Sequence, residues 1–117
     1  MNEIVRESML FDCYGSLLTE KKRKVMELYY SEDLSLSEIA EEEQVTRSAV
    51  HDSLRSARRK LEEYESRLHL LEKELRVREI ADRLDGVIRK MGSEPEDRET
   101  AKELRAVREM IEEAYGI

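Results

Sequence analysis

Residues 46–60, T-R-S-A-V-H-D-S-L-R-S-A-R-R-K, hold the densest set of groups able to act on another molecule. Five bases (Arg47, Arg55, Arg58, Arg59 and Lys60) stand there against one acid, Asp52, for a local charge of +4. The whole chain carries −7, which leaves −11 to the remainder. Guanidinium and ammonium groups neutralise phosphate, and short polar side chains reach base edges. A basic helix on an acidic body therefore points to a nucleic acid. The plain alternative is an amphipathic helix whose arginines are only solvated.

Position along such a helix separates the roles. Thr46 and Arg47 would meet phosphate at the amino end, where unpaired backbone N–H groups favour an anion. Ser48, Ala49, His51, Asp52 and Arg55 would project near base edges in a major groove. Arg58, Arg59 and Lys60 lie further along and would touch backbone. His51 reads equally as a base contact and as an ordinary solvent-facing histidine. A second basic cluster begins with Lys21 and Lys22 and runs on through Arg23 and Lys24. It is either a phosphate-contacting flank or a solvated turn.

Catalysis finds no comparable set. The chain has no phosphate-cradling glycine loop, dinucleotide fingerprint, paired-histidine metal motif or serine nucleophile elbow. Two separated histidines (His51 and His69) and the lone Cys13 offer neither metal-ligand spacing nor a disulfide. Most of the 28 acids keep helical company with Lys and Arg, as Glu72 does with Arg76 and Glu79 with Arg83. No catalytic residue, cofactor, metal or small-molecule substrate is expected.

The elements that must position residues 46–60 follow from the apolar rhythm. Ser35 or Ser37 can cap a short helix, Ser35 and Glu38 have the spacing of a capping box, and Leu36, Ile39 and Ala40 mark one face of that helix. Thr46 caps a second helix whose inner face is Val50, Leu54, Ala57 and Leu61. Two such helices joined by a short turn make a helix-turn-helix, here at about residues 35–60. The small Ala40 sits where they must cross closely. Upstream, residues 4–14 read as a helix with Val5, Met9, Leu10 and Cys13 inward and Gly15 as its stop. Thr19 caps another helix that ends in V-M-E-L-Y-Y.

Charged residues make up 42% of the 117, against about 25% in ordinary domains, while Gly is 4 and Pro is 1. That composition predicts long charged helices and no sheet. The 4-3 rhythm continues beyond the motif through Leu61, Tyr64, Leu68, Leu71 and Leu75, the spacing of a coiled coil or of an antiparallel helix pair; a homodimer is expected, with a folded-back monomer as the alternative. After Leu75 the phase shifts, which predicts a bend or new helix at residues 74–78. A final helix begins near Glu94, capped by Ser93 with Glu96 as box partner and Pro95 in its first turn, and stops at Gly116. The expected division is 1–62 for the amino-terminal helices with the motif and 63–117 for a helical, dimerising extension. The amino end lacks a signal-peptide pattern and no stretch is apolar enough to span a membrane, so a cytoplasmic location is expected.

Residues 17–50, L-L-T-E-K-K-R-K-V-M-E-L-Y-Y-S-E-D-L-S-L-S-E-I-A-E-E-E-Q-V-T-R-S-A-V, are similar to region 4 of sigma-70 transcription factors. Over about residues 9–89 the chain resembles still more closely the YlxM family of small bacterial proteins, through L-F-D-C-Y-G-S-L-L-T, E-L-Y-Y-S-E-D-L-S-L-S-E-I-A and L-E-E-Y-E-S-R-L-H-L. The resemblance implies an all-α, sigma-region-4-like DNA-binding fold followed by long carboxy-terminal helices. It also implies a regulatory link to the signal-recognition-particle pathway, with the particle's RNA or its GTPase as partners alternative to DNA. Two departures stand out. Gln44 occupies a turn position where the family usually has Gly, and Ser48 and His51 replace a long amide and an aromatic ring. Gln binds adenine with two hydrogen bonds whereas Ser contacts almost any base, so sequence preference does not transfer.

Overall fold

The computed structural model describes all residues, Met1–Ile117, as six α-helices and one 3-10 turn, with no strand. The all-α expectation holds. In chain order the helices are α1 (Glu3–Tyr14), α2 (Glu20–Tyr30), α3 (Leu36–Glu43), α4 (Arg47–Leu68), α5 (Leu70–Lys90) and α6 (Pro95–Tyr115). They form two compact units, Met1–Leu71 and Glu72–Ile117. The boundary expected at 62/63 falls inside α4, which continues to Leu68.

Local chemistry sets the helix starts of the first unit. Asn2 accepts the Ile4 N–H at 2.8 Å to open α1, and Thr19 accepts that of Lys22 at 3.3 Å to open α2. Ser35 and Glu38 close a reciprocal capping box at 3.1 and 3.0 Å. Each bond satisfies an amide that the first helical turn leaves without a partner. Gly15 does not end α1 through a left-handed residue: its φ is −54°, and the chain runs on into the 3-10 turn. Its need is for space. A Cβ there would lie 2.8 Å from Phe11 Cε1.

α4 is the axis of this unit and packs against α1, α2 and α3. Its inner residues Val50, Leu54, Ala57 and Leu61 are all buried, with Leu10, Tyr14, Met26 and Ile39 among the side chains around them. Ala40 is buried at the crossing, as its size predicts. Four expected core residues fall outside: Val5 is exposed, and Met9, Cys13 and Leu36 are half-buried, while on α1 Leu10 is buried as expected and Tyr14 joins it.

The helix break lies at His69, not at residues 74–78. His69 takes a left-handed conformation (φ 56°, ψ 31°), and α5 begins at the next residue. Buried side chains from elsewhere in the unit support this break. The Tyr14 hydroxyl accepts the Leu70 N–H at 3.0 Å, and Glu65 Oε1 accepts that of Leu71 at 3.0 Å. Tyr14 and Glu65 thus replace the local cap that α5 lacks. The 4-3 rhythm runs across this break because its two halves belong to different helices.

In the second unit, α5 and α6 are antiparallel. Both Asp85 carboxylate oxygens accept from Arg108 Nε at 3.2 Å, and the end of α6 at Gly116 and Ile117 lies beside Arg78, Ala81 and Asp82. Glu94, not Ser93, occupies the cap position of α6, without a side-chain bond, and Pro95 follows as the first helical residue. Pro has no N–H to satisfy there, which lessens the need for a side-chain cap. Gly116 ends the helix at φ 67°. No helix is long and apolar enough to cross a membrane.

Candidate nucleic-acid interface

The turn between α3 and α4 is short and strained at one residue. Gln44 stands at φ 57°, ψ 45°, and its N–H returns to the last turn of α3. The Val45 N–H reaches Ala40 O at 3.0 Å. Thr46 then accepts the Ala49 N–H at 3.0 Å and fixes the amino end of α4. The turn that the sequence assigns to Gln44 and the cap that it assigns to Thr46 are both present.

From this end Ser48, His51, Asp52, Arg55 and Arg59 project together into solvent on the side of α4 opposite its buried face, with Arg47 at the edge of that ridge. Arg47, Arg55 and Arg59 hold no ion pair. His51 Nδ1 lies 3.7 Å from Asp52 Oδ1, an exposed contact that brings a carboxylate into the ridge. Ala49 does not share the open face. It is half-buried and lines a cleft of about 180 Å³ with Lys21, Val25, Glu43, Val45, Val50 and Ser53. The cleft sets Lys21 beside the amino half of α4, a juxtaposition that spacing alone did not give. Lys22 is half-buried and does not line it.

Arg58 is held inside the fold, not presented to a backbone. Its Nε lies 3.2 Å from the Tyr30 hydroxyl and 3.2 Å from Glu7 Oε2, and its guanidinium carbon is 5.6 Å from the centre of the Tyr29 ring. The Tyr30 hydroxyl also donates to Glu7. Burial, reinforced by the bond to Glu7, pushes the Tyr30 hydroxyl up to about 12. Arg58 therefore ties α4 to α1 and α2. Sequence reasoning missed this because Glu7, Tyr30 and Arg58 lie far apart in the chain. Lys60 is exposed and leans toward Glu63 at 3.8 Å, a weak surface pair.

The seam residues divide in the same way. Leu61 and Leu71 are buried within the first unit. The Tyr64 ring lies 5.8 Å from that of Tyr14, and its hydroxyl donates to Leu17 O at 3.3 Å. Leu75 is half-buried and Leu68 is exposed. A single copy already occupies most of this seam.

Comparison with known proteins agrees with the helix-turn-helix geometry. Residues 1–104 match the family model of UPF0122, described as a YlxM / p13 like helix-turn-helix protein. The UPF0122 protein of Halalkalibacterium halodurans is 43% identical over 112 residues, 96% of each chain. That of Desulforamulus reducens is 45% identical over 106 residues, 87% of this chain and 89% of the relative. That of Clostridium botulinum is 53% identical over 76 residues, 65% of this chain and 70% of the relative.

Proposed function

The chain belongs to the UPF0122 family of YlxM/p13-like helix-turn-helix proteins, and from that premise we propose that it is a nucleic-acid-binding regulatory protein that sets α4 into the major groove of duplex DNA. The observation that carries this reading is the free ridge of Arg47, Arg55 and Arg59 on a capped helix, with Lys21 alongside. Thr46, Arg47 and the first amides of α4 take phosphate. Ser48, His51 and Arg55 reach base edges, Asp52 discriminates among bases by accepting from or repelling them, and Arg59 and Lys60 follow the backbone.

A second reading rests on α3. This helix carries Glu38, Glu41, Glu42 and Glu43 and no base. The Ser35 amide and hydroxyl hold the Glu38 carboxyl below the usual carboxylate range, so it stays ionised. A first motif helix normally crosses the phosphate backbone, where four carboxylates are repelled. An adaptor for the signal recognition particle accommodates those charges more readily when it turns α3 to a basic protein surface such as the particle's GTPase, or binds the particle's RNA with α3 turned away from the phosphates. Binding of the full chain to random duplex DNA, the particle's RNA and the particle's GTPase, compared at several salt concentrations, separates the two readings. Under the first, selection from a random duplex pool returns a short motif preferred by about 10³-fold or more. A pool that returns nothing, with tight binding to the RNA or GTPase, replaces it with the second.

A further inference from the structure

The local sequence gives α4 no reason to stop at Leu68. Residues 61–75, L-E-E-Y-E-S-R-L-H-L-L-E-K-E-L, contain no Gly or Pro and are mostly strong helix formers. Leu61, Tyr64, Leu68, Leu71 and Leu75 keep a single helical phase through them. The one departure is His69, whose left-handed conformation (φ 56°) is costly for a residue with a Cβ. By sequence alone, residues 61–75 read as one helix.

The break is held by groups packed around it. The Tyr14 hydroxyl accepts the Leu70 N–H and Glu65 Oε1 accepts the Leu71 N–H, each at 3.0 Å, and Tyr14 itself donates to Glu65 at 2.6 Å. In a continuous helix these two amides would bond the carbonyls of Ser66 and Arg67, four residues back. Leu71 is 3% exposed in the broken form. A continuous helix would carry it about 9 Å along the axis beyond Glu65, away from the Tyr14–Glu65 pair. The broken form therefore gains the burial of Leu71 and two bonds from buried groups. The continuous form gains a right-handed residue 69 and an unbroken ladder. Terms of similar size oppose each other, so the two forms lie close in free energy.

We propose that the α4–α5 joint is a two-state element. The Tyr14–Glu65 pair is a latch that holds it broken, and with the latch open α4 continues through His69 into α5. Tyr14 is the last residue of α1, so the packing of α1 on the final turns of α4 sets the state of the joint. Anything that binds Tyr14 or Leu71 in one form alone moves the balance by its difference in affinity for the two forms. His69 lies about 15 Å along the helix axis from Arg59, and no ridge residue belongs to the latch. The joint therefore stands or falls independently of nucleic-acid binding.

NMR on the isotope-labelled full chain tests this, through the proton contacts between residues i and i+3 that a helical backbone brings close. In the wild type they stop at His69. In Tyr14→Phe/Glu65→Leu/His69→Ala, which removes both acceptors and favours a helical residue 69, they run unbroken from residue 64 to 75. Using His69→Gly in place of His69→Ala moves the balance about tenfold back toward the break, since Gly adopts the left-handed conformation freely and weakens a helix. Val50, Leu54 and Leu61 keep their chemical shifts in both triple variants. With the latch intact, His69→Ala raises and His69→Gly suppresses millisecond exchange at residues 66–73, and this pair decides if the triple variants do not fold. A His69→Ala triple variant that stays broken, or that unravels residues 66–73, overturns the proposal. So do His69→Ala and His69→Gly that behave alike.

Discussion

The Tyr14 hydroxyl donates to Glu65 Oε1 at 2.6 Å, joining the end of α1 to the last turns of α4. The same two groups accept the first amides of α5, from Leu70 and Leu71, each at 3.0 Å. One buried pair thus ends one long helix and starts the next. Tyr14→Phe leaves Glu65 buried with one partner fewer and the Leu70 amide without its acceptor. The expected loss is about 1–3 kcal/mol in urea unfolding, with the melting temperature falling accordingly.

Alkaline pH probes the same pair. Burial, then the bond to Glu65, pushes the Tyr14 hydroxyl up to about 12 from an ordinary value near 10.0. Above pH 10 the unfolded chain releases this proton while the folded chain keeps it, so ionisation favours unfolding. The contribution of Tyr14 is therefore complete below pH 10 and lost as pH rises from 10 to about 12. Tyr30 adds to the same slope. Urea midpoints should fall across this window, and Tyr14→Phe should make the fall shallower. A midpoint unchanged between pH 10 and 12 would contradict the buried hydrogen-bonded tyrosines.

Gln44 is an exposed residue in a left-handed conformation. Gln44→Gly removes the Cβ strain and should raise stability by about 0.5–1 kcal/mol, visible as a higher urea midpoint at unchanged slope. Thr46→Ala, two residues on, should lower it by about 1 kcal/mol through loss of the cap. A destabilising glycine would mean that the side chain makes a contact outweighing the strain.

Arg55 and Arg58 lie one turn apart on α4 and should behave oppositely. Arg58→Ala leaves Glu7 and Tyr30 partly buried without their cation and should lower stability by about 1–3 kcal/mol. Arg55→Ala should leave the melting temperature within about a degree or two, as an exposed substitution does, while weakening nucleic-acid binding. Thermal melts and binding isotherms on both variants check this. Equal loss of stability in the two would remove the distinction drawn between them.

Much of this architecture was legible where the controlling chemistry is local. Ser35 with Glu38, Thr19, Thr46 and Gly116 bind or bend the chain within four residues, and each was placed from spacing alone. The break at His69 was not, because its causes, Tyr14 and Glu65, lie outside the local pattern and the 4-3 rhythm masks it. Arg58 was misread for the same reason: nothing near it in the sequence reveals that Glu7 and Tyr30 claim it. Ser93 failed as a cap because Pro95 shifts the helix start to follow Glu94. For the candidate interface, periodicity gave the open ridge but turned Ala49 the wrong way, and only the packing of α2 showed Lys21 beside it.

The central claim is that α4 meets nucleic-acid phosphate through named residues, and the salt dependence of binding measures it most directly. Log association constant against log salt should be linear for the wild type on duplex DNA. Arg47→Ala and Arg59→Ala, which remove the bases placed on phosphate and backbone, should each weaken binding to every sequence and reduce the slope by about 0.9. Arg98→Ala and Arg105→Ala, remote from the motif in sequence, should change neither constant nor slope. Equal effects from both pairs, or no measurable binding at low salt, would contradict the assignment of α4 as the nucleic-acid-contacting helix.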